Sequence, residues 1–553
     1  MQFLKANGTL ICNEDGQEVL LTGYGIGNWM NQEGFLFGSS AFGTGFDSFA
    51  RAGGMDRGRS IDQIIIETCG RSYADGFWKA FFRNYFGRED IAHLSSLGMN
   101  SVRLPLKAAA FLKEEEGISF DEETFAILDE ILDACEEYGI YAVLDMHAAV
   151  AGQSAISCDD GVDNQPHLYT DAEGWERTIL LWEEFARRYK DRAVVAGYEL
   201  LNEPLALPAH DGFLPDLLRF YEETISRIRA IDEKHILFLQ GHRFASRCDL
   251  FHPDMDPISH NWVLTMHMYE TLPDLGSLGP MLAAREELQV PVWMGETGGS
   301  SRYMTVLYEM LREHHIGVNI WCHKAVEGAD AATLCTYALP EGMEKICAYA
   351  QKGGAKPSYA QSKAIFDAYL QNIRFENCSL HEHRVDAILR RRDVLVPATG
   401  YDMLPGQGES FKGSYPFCCF CGYRREDHMH LVYEDDFLPY ESPAFAFAGG
   451  GRPPKYGDWN HLLLRLQEGD FASYSIRELD APEELELEIL DAEGAVLEVS
   501  FREEKHTMGM EKAENDVMFK ACVIPAGEDI QVRISCLAGT VTLRTVCFKR
   551  VRE

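Results

Sequence analysis

The chain has 553 residues, more than one ordinary domain needs. Its hydrophobic content of 46% is enough to bury large cores. Its formal net charge of −36 repels phosphate groups, which excludes nucleic acid and anionic lipid as main partners. No apolar run approaches the roughly 20 residues that span a bilayer, so we expect no membrane insertion.

The N-terminal residues predict a short hairpin and no targeting segment. Residues 1–8 lack the basic and then apolar pattern of a signal peptide, which favours a cytoplasmic protein and leaves a mature secreted form open. Asn7-Gly8 is typical of a tight hairpin turn, and residues 1–20 are expected to cap the bottom of the following domain. Fifteen cysteines without framework spacing fit free thiols better than a disulfide scaffold.

Apolar runs alternate with amphipathic helical segments through the first two-thirds of the chain, as in βαβ units with a parallel sheet. Helical periodicity marks Asp121–Tyr138, Gly174–Tyr189, Leu214–Ile231, Ser301–His314 and Ser358–Phe375. Eight runs read as buried strands, namely Leu20–Gly27, Asn100–Leu106, Tyr141–His147, Val194–Asn202, His235–Gly241, Trp262–His267, Val290–Glu296 and Gly317–Cys322. The pattern predicts an α/β fold, a (β/α)8 barrel, over residues 1–375.

Two further regions depart from the bare barrel pattern. Residues 31–90, a Gly/Phe/Ser-rich run followed by the helical Ile61–Phe86, form a long insertion in the first strand-to-helix loop. Such loops lie over the active-site face, so the insertion could close one end of a cleft or have only a packing role.

Residues 376–553 predict an antiparallel β-sandwich. Its strands would include Leu462–Leu466, Leu485–Leu490, Val496–Phe501, Ile530–Cys536 and Val541–Phe548, with a turn at 491–494.

Two predicted strands end abruptly at a glutamate. Glu203 closes the fourth strand within Asn202-Glu203-Pro204, and Glu296 closes the seventh within Gly295-Glu296-Thr297. The C-terminal strand ends of a (β/α)8 barrel are where active sites are built. A carboxylate pair is the minimum equipment for breaking a glycosidic bond, so the pair predicts a glycoside hydrolase.

Other strand ends supply residues of the same kind, and the whole pattern resembles glycoside hydrolase family 5 over about residues 5–370. The family's set of eight active-site residues maps onto Arg103, His147, Asn202, Glu203, His267, Tyr269, Glu296 and Trp321. The resemblance implies a retaining enzyme with Glu203 as acid/base and Glu296 as nucleophile, and with the other six residues binding substrate. Arg103 and Tyr269 would keep Glu296 ionised, while neighbouring negative charge would raise the pKa of Glu203.

A further segment is similar to exo-acting members of that family. Gly27–Phe35 resembles a Gly-Trp-Leu-Asn element of exo-β-glucosidases and exo-β-1,3-glucanases, which adds Trp29 and Asn31 to the substrate-binding set. His147–Gln153 resembles their His-Ala-Ala-Pro-Gly element but has Val150 and Ala151 at the proline. We therefore predict exo-cleavage of terminal β-D-glucosyl units. The alternatives are an endo-acting β-glucanase or β-mannanase, and a non-catalytic carbohydrate-binding barrel.

We expect no cofactor and no catalytic metal. The chain has no Gly-rich phosphate loop, and a strand through Cys418–Cys421 would place those two thiols on opposite faces. The expected partner is a β-linked oligosaccharide, polysaccharide or glucoside, and the oligomeric state stays open.

Overall fold

A computed structural model describes residues 1–39, 54–113, 117–269, 271–329, 332–351, 353–403, 410–416, 422–433 and 459–551. The chain divides into two compact units. The first comprises Met1–Tyr269, Met281–Gly298 and Ile316–His381, and the second comprises Glu270–Pro280, Gly299–His315 and Glu382–Glu553. Most of the Gly/Phe/Ser-rich run after the first strand, and Cys418–Cys421, lie outside the described residues.

The first unit is built on a closed barrel of eight parallel strands in chain order, which confirms the predicted fold. Barrel strands one to eight are Gly23–Gly25, Ser101–Lys107, Tyr141–Ala148, Val195–Glu199, Ile236–Gln240, Trp262–Tyr269, Val292–Gly298 and Gly317–Trp321. The strands are buried almost throughout because the barrel interior covers one face and helices cover the other. The eighth strand pairs with the first and closes the barrel.

The N-terminal hairpin pairs Lys5–Asn7 with Leu10–Cys12 around Gly8, which has a φ of +57°. Its apolar side chains pack with side chains of the barrel in one buried cluster: Leu4, Ile11, Leu21, Val143, Ala196, Ile236, Phe238, Val263 and Trp293. Several of these residues lie near the starts of their strands. The hairpin therefore covers the end of the barrel opposite the strand-terminal glutamates, as the sequence predicted.

Most helices of the first unit follow the predicted amphipathic pattern. They are Gly34–Phe37, Gly58–Cys69, Arg71–Tyr85, Arg88–Ser96, Ala108–Phe111, Glu122–Tyr138, Ala172–Tyr189, Leu214–Arg229, Met343–Ala350 and Tyr359–Asn372. The predicted segment Ile61–Phe86 is two helices, because Gly70 has a φ of +86° and ends the first. Asp121 caps its helix by accepting a hydrogen bond from the Thr124 backbone N–H at 2.8 Å.

Smaller elements complete the first unit. The 3-10 turns are Ser157–Asp159, His167–Tyr169, Pro208–Phe213 and Phe375–Asn377. A three-stranded sheet joins Lys324–Val326, Cys335–Tyr337 and Ser379–Leu380. His242–Ala245 is a left-handed turn after the fifth barrel strand, and Leu275–Leu288 is a helix with residues in both units. None of the helices in the described ranges is both long and apolar enough to span a bilayer.

The second unit is dominated by antiparallel strands, as predicted, together with the helices Ser301–Glu313 and Glu382–Ile388 and the 3-10 turn Trp459–His461. Ile530–Arg550 is central, with Glu483–Phe501 paired along one edge and three shorter strands along the other. The eight strands are Leu395–Pro397, Phe411–Lys412, His430–Tyr433, Leu462–Gln467, Phe471–Ile476, Glu483–Phe501, Glu504–Ile524 and Ile530–Arg550.

The predicted turn at residues 491–494 is wrong. Glu483–Phe501 runs through it as one strand, and Ile530–Arg550 likewise unites two predicted strands. The register against the neighbouring strands shifts between Ile489 and Asp491 and again between Glu493 and Val496. Bulges of this kind absorb turn-forming residues while pairing continues on both edges, so the local turn signal did not end the strand.

Candidate active site

Arg103 is the electrostatic centre of the barrel mouth. Its side chain projects from the second strand, is fully buried, and donates from Nη1 to Glu296 Oε1 at 2.5 Å. Nη2 donates to Asn202 Oδ1 at 2.8 Å and lies 3.0 Å from Asp145, while Nε donates to Glu199. Burial opposes the guanidinium charge, but the surrounding carboxylates outweigh it and raise the pKa of Arg103. One cation on the second strand thus holds together groups from the third, fourth and seventh strands.

Glu203 and Glu296 face each other, although Glu203 does not close the fourth strand as expected. That strand ends at Glu199, and Glu203 lies in the following loop, whereas Glu296 lies near the end of the seventh strand. Glu203, Glu296 and His267 each place one carboxyl oxygen or ring nitrogen within 4.8 Å of those of the other two. His267 Nδ1 is 2.8 Å from Glu203 Oε1 and 3.5 Å from Glu296 Oε2. The Tyr269 hydroxyl donates to Glu296 Oε2 at 2.9 Å, so Glu296 accepts a hydrogen bond on each oxygen. Two such donors stabilise an ionised carboxylate.

Burial shifts the pKa of Glu203 and the pKa values of the two histidines in opposite directions. Burial raises the pKa of Glu203 to about 7, against the opposing effects of His147 and Arg103. Desolvation, rather than the neighbouring negative charge expected from the sequence, is therefore the main cause. Burial also lowers the pKa of His267 and of His147 to about 4, so both imidazoles are neutral near pH 7. At neutral pH the Glu203 carboxyl can thus be protonated, while the two imidazoles are in their neutral form.

Asn202, His147 and Trp321 line the same mouth. Asn202 Nδ2 lies 3.3 Å from His147 Nε2, and His147 Nδ1 lies 2.7 Å from Asp145. The rings of His147 and Trp321 stack with their centroids 5.4 Å apart at an interplanar angle of 6°. A Cβ on Gly27 would lie 2.7 Å from the Trp321 ring, so this glycine lets the indole lie against the first strand. All eight residues assigned from the sequence thus lie at one end of the barrel.

A family model described as Cellulase (glycosyl hydrolase family 5) matches residues 66–326, which contain all eight of these residues. The barrel belongs to glycosyl hydrolase family 5. A beta-xylosidase of Phanerodontia chrysosporium is 33% identical over 269 residues, which cover 49% of this chain and 52% of that protein.

Two further relatives match shorter stretches of this chain. A glucan 1,3-beta-glucosidase of Candida oleophila is 26% identical over 224 residues, covering 39% of this chain and 49% of that protein. Endoglucanase C of Acetivibrio thermocellus is 26% identical over 177 residues, covering 32% and 48%. The chain spans about half the length of the curated relatives it matches. Their names include exo- and endo-acting enzymes and so leave this difference open.

The two residues added by the exo-like segment occupy different surroundings in the family 5 barrel. Trp29 is fully buried, and its indole N–H donates to the Phe82 carbonyl at 2.8 Å. Its ring also packs edge-on against Phe86, with the ring centroids 5.9 Å apart. Asn31 Nδ2 donates to the Cys158 carbonyl at 2.7 Å, while its buried Oδ1 has no partner among the described residues. Asn31 keeps an acceptor for a ligand, whereas the Trp29 side chain does not reach the surface.

Several residues of the site were missed or ranked low from the sequence. Glu199 shares Arg103 with Glu296, and Gln240 accepts from the Glu203 backbone N–H at 2.7 Å and donates to Glu199 at 2.8 Å. Glu33 is buried, and burial followed by the charges of Glu296 and Glu203 raises its pKa well above the usual range. Glu199 and Gln240 end the fourth and fifth strands, so their strand-end positions were the available signal.

The loops around the mouth are joined by a buried arginine. Arg57, in the insertion after the first strand, is 2% exposed and donates to the Gly161 carbonyl at 2.9 Å and to Asn164 Oδ1 at 2.7 Å. The Arg59 backbone N–H donates to Asp160 Oδ1 at 2.6 Å. These bonds, which we name the Arg57 clasp, attach the first-strand insertion to the loop after the third strand.

Three clusters of side chains that could ligate a metal occur in the described part of the chain, and each lies beside a lysine or an arginine. Lys324 Nζ lies 2.8 Å from Asp90, Arg103 lies 2.5 Å from Glu296, and Arg390 lies 2.9 Å from Asp402. In the described ranges, ligand-type atoms cluster in three sets: Asp90, His323 and Cys335; Glu203, His267 and Glu296; and Glu309, Glu313 and Asp402. That no cofactor or catalytic metal takes part stays a prediction.

Removing Arg103 is expected to destabilise the barrel. Arg103→Met leaves Asp145, Glu199 and Glu296 buried without their shared cation, which typically costs about 3–5 kcal/mol. We expect a lower Tm in a thermal scan, and a Tm deficit that shrinks at acidic pH because the carboxyl groups can then take up protons. Arg103→Lys, which keeps the charge but loses the planar fork, should lose less. An unchanged Tm for Arg103→Met would contradict the central role of this ion network.

Proposed function

We propose that this chain is a retaining β-glycoside hydrolase that removes terminal β-D-glucosyl units. The observation that carries the proposal is the facing pair of Glu203 and Glu296, which have carboxyl oxygens within 4.8 Å of each other. Retaining glycosidases have carboxyl groups about 5–5.5 Å apart, whereas inverting enzymes need about 6.5–9.5 Å to hold a water molecule between them. The short separation supports attack by a glutamate itself.

The mechanism has two displacements at the anomeric carbon. In the first, the Glu296 carboxylate attacks C1, the bond from C1 to the leaving oxygen breaks, and that oxygen takes the proton of Glu203. In the second, a water oxygen attacks C1, its proton passes to Glu203, and the bond from C1 to Glu296 breaks. One water is consumed, the configuration at C1 is retained, and both glutamates return to their starting states.

The surroundings of the two glutamates support these roles. Glu203, with a pKa raised by burial to about 7, can be protonated at neutral pH as a general acid requires. Glu296 accepts hydrogen bonds from Arg103 and Tyr269, one on each oxygen, which hold the carboxyl group in place for attack on the sugar.

Unpartnered polar atoms support a hydroxyl-rich ligand. Within the described residues, Glu33 Oε1, Asn31 Oδ1 and His267 Nε2 are buried without a hydrogen-bond partner. Buried polar atoms are normally paired, and sugar hydroxyls could donate to or accept from each of these. Glu33 is buried, and the charges of both catalytic candidates contribute to raising its pKa well above the usual range.

The Arg57 clasp favours exo action over the endo alternative. It fixes the insertion after the first strand to the loop after the third, and Asn31 donates to the Cys158 carbonyl of the same loop. An insertion anchored in this way supports a site that admits the end of a chain rather than a chain that passes through. The non-catalytic alternative receives no support, because both carboxylates and the groups that tune them are present.

An oligosaccharide time course tests exo action. A ladder of β-linked glucose oligomers should lose single sugars from the earliest time point, with β-glucose as the first anomer in NMR spectra. An aryl β-xyloside assayed in parallel distinguishes a xylosyl from a glucosyl pocket. Early mid-length products would refute the closed pocket, and a first product of inverted configuration would refute the retaining mechanism.

A further inference from the structure

The wall beside Glu203 is apolar, in contrast to the charged surroundings of Glu296. Ile156, Cys158 and Ala206 form a buried cluster, and the half-buried Leu207 and Phe244 pack against it. Gln153 donates to the Asn202 carbonyl at 2.9 Å and its own carbonyl accepts from the Leu205 N–H at 3.1 Å, while the next residue, Ser154, has its hydroxyl 3.6 Å from Cys158 Sγ. These contacts join the cluster to the backbone on either side of Glu203. Ala206 is also only three positions after Glu203 in the chain.

Phe244 is presented by an unusual backbone. Arg243, Phe244 and Ala245 have φ values of 57°, 58° and 53°, so three consecutive residues with side chains adopt the left-handed conformation that favours glycine. Such conformations persist only where surrounding contacts impose them, and they concentrate at functional sites. No glycine occupies the positions where one would relieve the strain.

Contacts to the loop after the fourth strand hold this turn. Arg243 donates from Nη2 to Asp211 Oδ2 at 2.6 Å and from Nε to Asp211 Oδ1 at 3.2 Å. The Arg243 backbone N–H donates to the Leu205 carbonyl at 3.2 Å, and the Ala206 N–H donates to the Ser154 carbonyl at 3.0 Å. Loops after the third, fourth and fifth strands are thereby joined behind Phe244.

The position of this apolar wall relative to Glu203 determines which part of a substrate the wall can contact. A general acid donates its proton to the leaving oxygen, so the leaving group of the substrate lies on the side of Glu203. Phe244 and Leu207 have partly exposed apolar side chains and pack against the cluster that is joined to the backbone on either side of Glu203. A second sugar ring needs hydrogen-bond partners for its hydroxyls, and the five members of this wall carry only aliphatic, aromatic and thiol side chains.

We propose that Phe244 is a specificity-determining residue of the leaving-group subsite, and that this subsite takes an apolar ring as aglycone in preference to a second sugar. The inference rests on the proposed hydrolase function, since Glu203 must be the acid for this wall to meet the leaving group. The left-handed turn is the device that directs Phe244 into this wall.

The test compares two glucosides whose alcohol leaving groups have similar acidity. The ratio of kcat/KM for cyclohexyl β-glucoside to that for methyl β-glucoside should be at least about tenfold in the wild type, as expected for burial of an apolar ring. In Phe244→Ala this ratio should fall about tenfold, and in Phe244→Leu it should fall less. Phe3→Ala, a half-buried phenylalanine at the opposite end of the barrel, should leave the ratio unchanged.

A glycine variant separates the role in specificity from a role in folding. Phe244→Gly should lower the ratio as much as Phe244→Ala does, yet have a higher Tm than Phe244→Ala because glycine adopts the left-handed conformation without strain. An unchanged ratio in both variants would overturn the proposal. An equal loss of kcat/KM for a β-linked diglucoside would also overturn it, because the wall would then bind a second sugar.

A binding measurement keeps this inference apart from the proposed function. In the Glu296→Gln variant, affinities for the two glucosides are measured by calorimetry. Binding does not require hydrolysis, so these affinities report on the subsite directly. Tighter binding of the cyclohexyl glucoside, lost in Glu296→Gln with Phe244→Ala, supports the subsite even if the wild type hydrolyses neither compound. Equal affinities would overturn the subsite even if the protein proves to be a hydrolase.

Discussion

Glu296→Ala is expected to lower kcat/KM for an aryl β-glucoside by at least about 10⁴-fold, the largest effect of any single substitution considered for this protein. The variant removes the carboxylate that would form the covalent intermediate and that accepts hydrogen bonds from both Arg103 and Tyr269. Steady-state kinetics measure the loss, and an unchanged Tm shows that the variant is folded.

Glu199→Gln is a matched control for Glu296→Ala. Glu199 is also a buried carboxylate bound to Arg103, but it lies on the Nε side and Glu296 on the Nη1 side. We expect a much smaller loss of kcat/KM in this control. Similar losses in the two variants would indicate that Glu296 serves the ion network around Arg103 and is not the nucleophile.

A covalent label provides direct evidence for the nucleophile. Incubation with a 2-fluoro glucosyl donor should add one sugar mass to the peptide that contains Gly295-Glu296-Thr297, as measured by mass spectrometry. Labelling of a different peptide would refute the assignment whatever the kinetics of Glu296→Ala show.

Glu203→Ala is expected to produce the second-largest loss, about 10²–10⁴-fold for substrates with poor leaving groups. Good leaving groups need little protonation, so aryl glucosides with acidic phenols should lose much less. Azide, which can enter the space left by the side chain and attack the intermediate without base assistance, should restore turnover. Equal losses across all leaving groups would mean that Glu203 only positions the substrate.

The pH profile gives an independent test of the acid. Because burial raises the pKa of Glu203 to about 7, wild-type kcat/KM should fall as the pH rises through about 7 and the acid loses its proton. His147 and His267 have pKa values lowered to about 4, so they contribute no change in this range. With a good leaving group, Glu203→Ala should lose this alkaline limb, and its persistence would assign the limb to another group.

The barrel and the catalytic pair could be predicted from local sequence patterns. Each barrel strand is a short apolar run, and parallel strands bring their carboxyl ends to one face. Glu203 and Glu296 therefore had to lie near each other once eight such runs were counted. The same reasoning placed His147 and Tyr269 at the mouth because they lie at strand ends, whereas Arg103 lies inside the second strand and reaches the mouth through its long side chain.

The arrangements that tune the site depend on contacts between distant parts of the chain. Arg103 binds Glu199 and Glu296, which are 96 and 193 positions away, and its choice among nearby carboxylates follows from side-chain geometry. Trp29 was predicted to bind substrate from its neighbours in sequence, but its indole donates to Phe82, 53 positions away, in the interior. The turn predicted at residues 491–494 was overridden because pairing on both strand edges outweighed a local preference.

The sequence by itself determined the fold class, the approximate positions of the barrel strands and the choice of the two glutamates, because these depend on periodicity and on residue type at a few positions. Tertiary structure alone decided which carboxyl is buried enough to keep a proton, how Arg57 joins two loops, and how a left-handed turn directs Phe244 into the wall beside Glu203. Desolvation, shared hydrogen bonds and imposed backbone strain are properties of the assembled surroundings, and no local pattern encodes them.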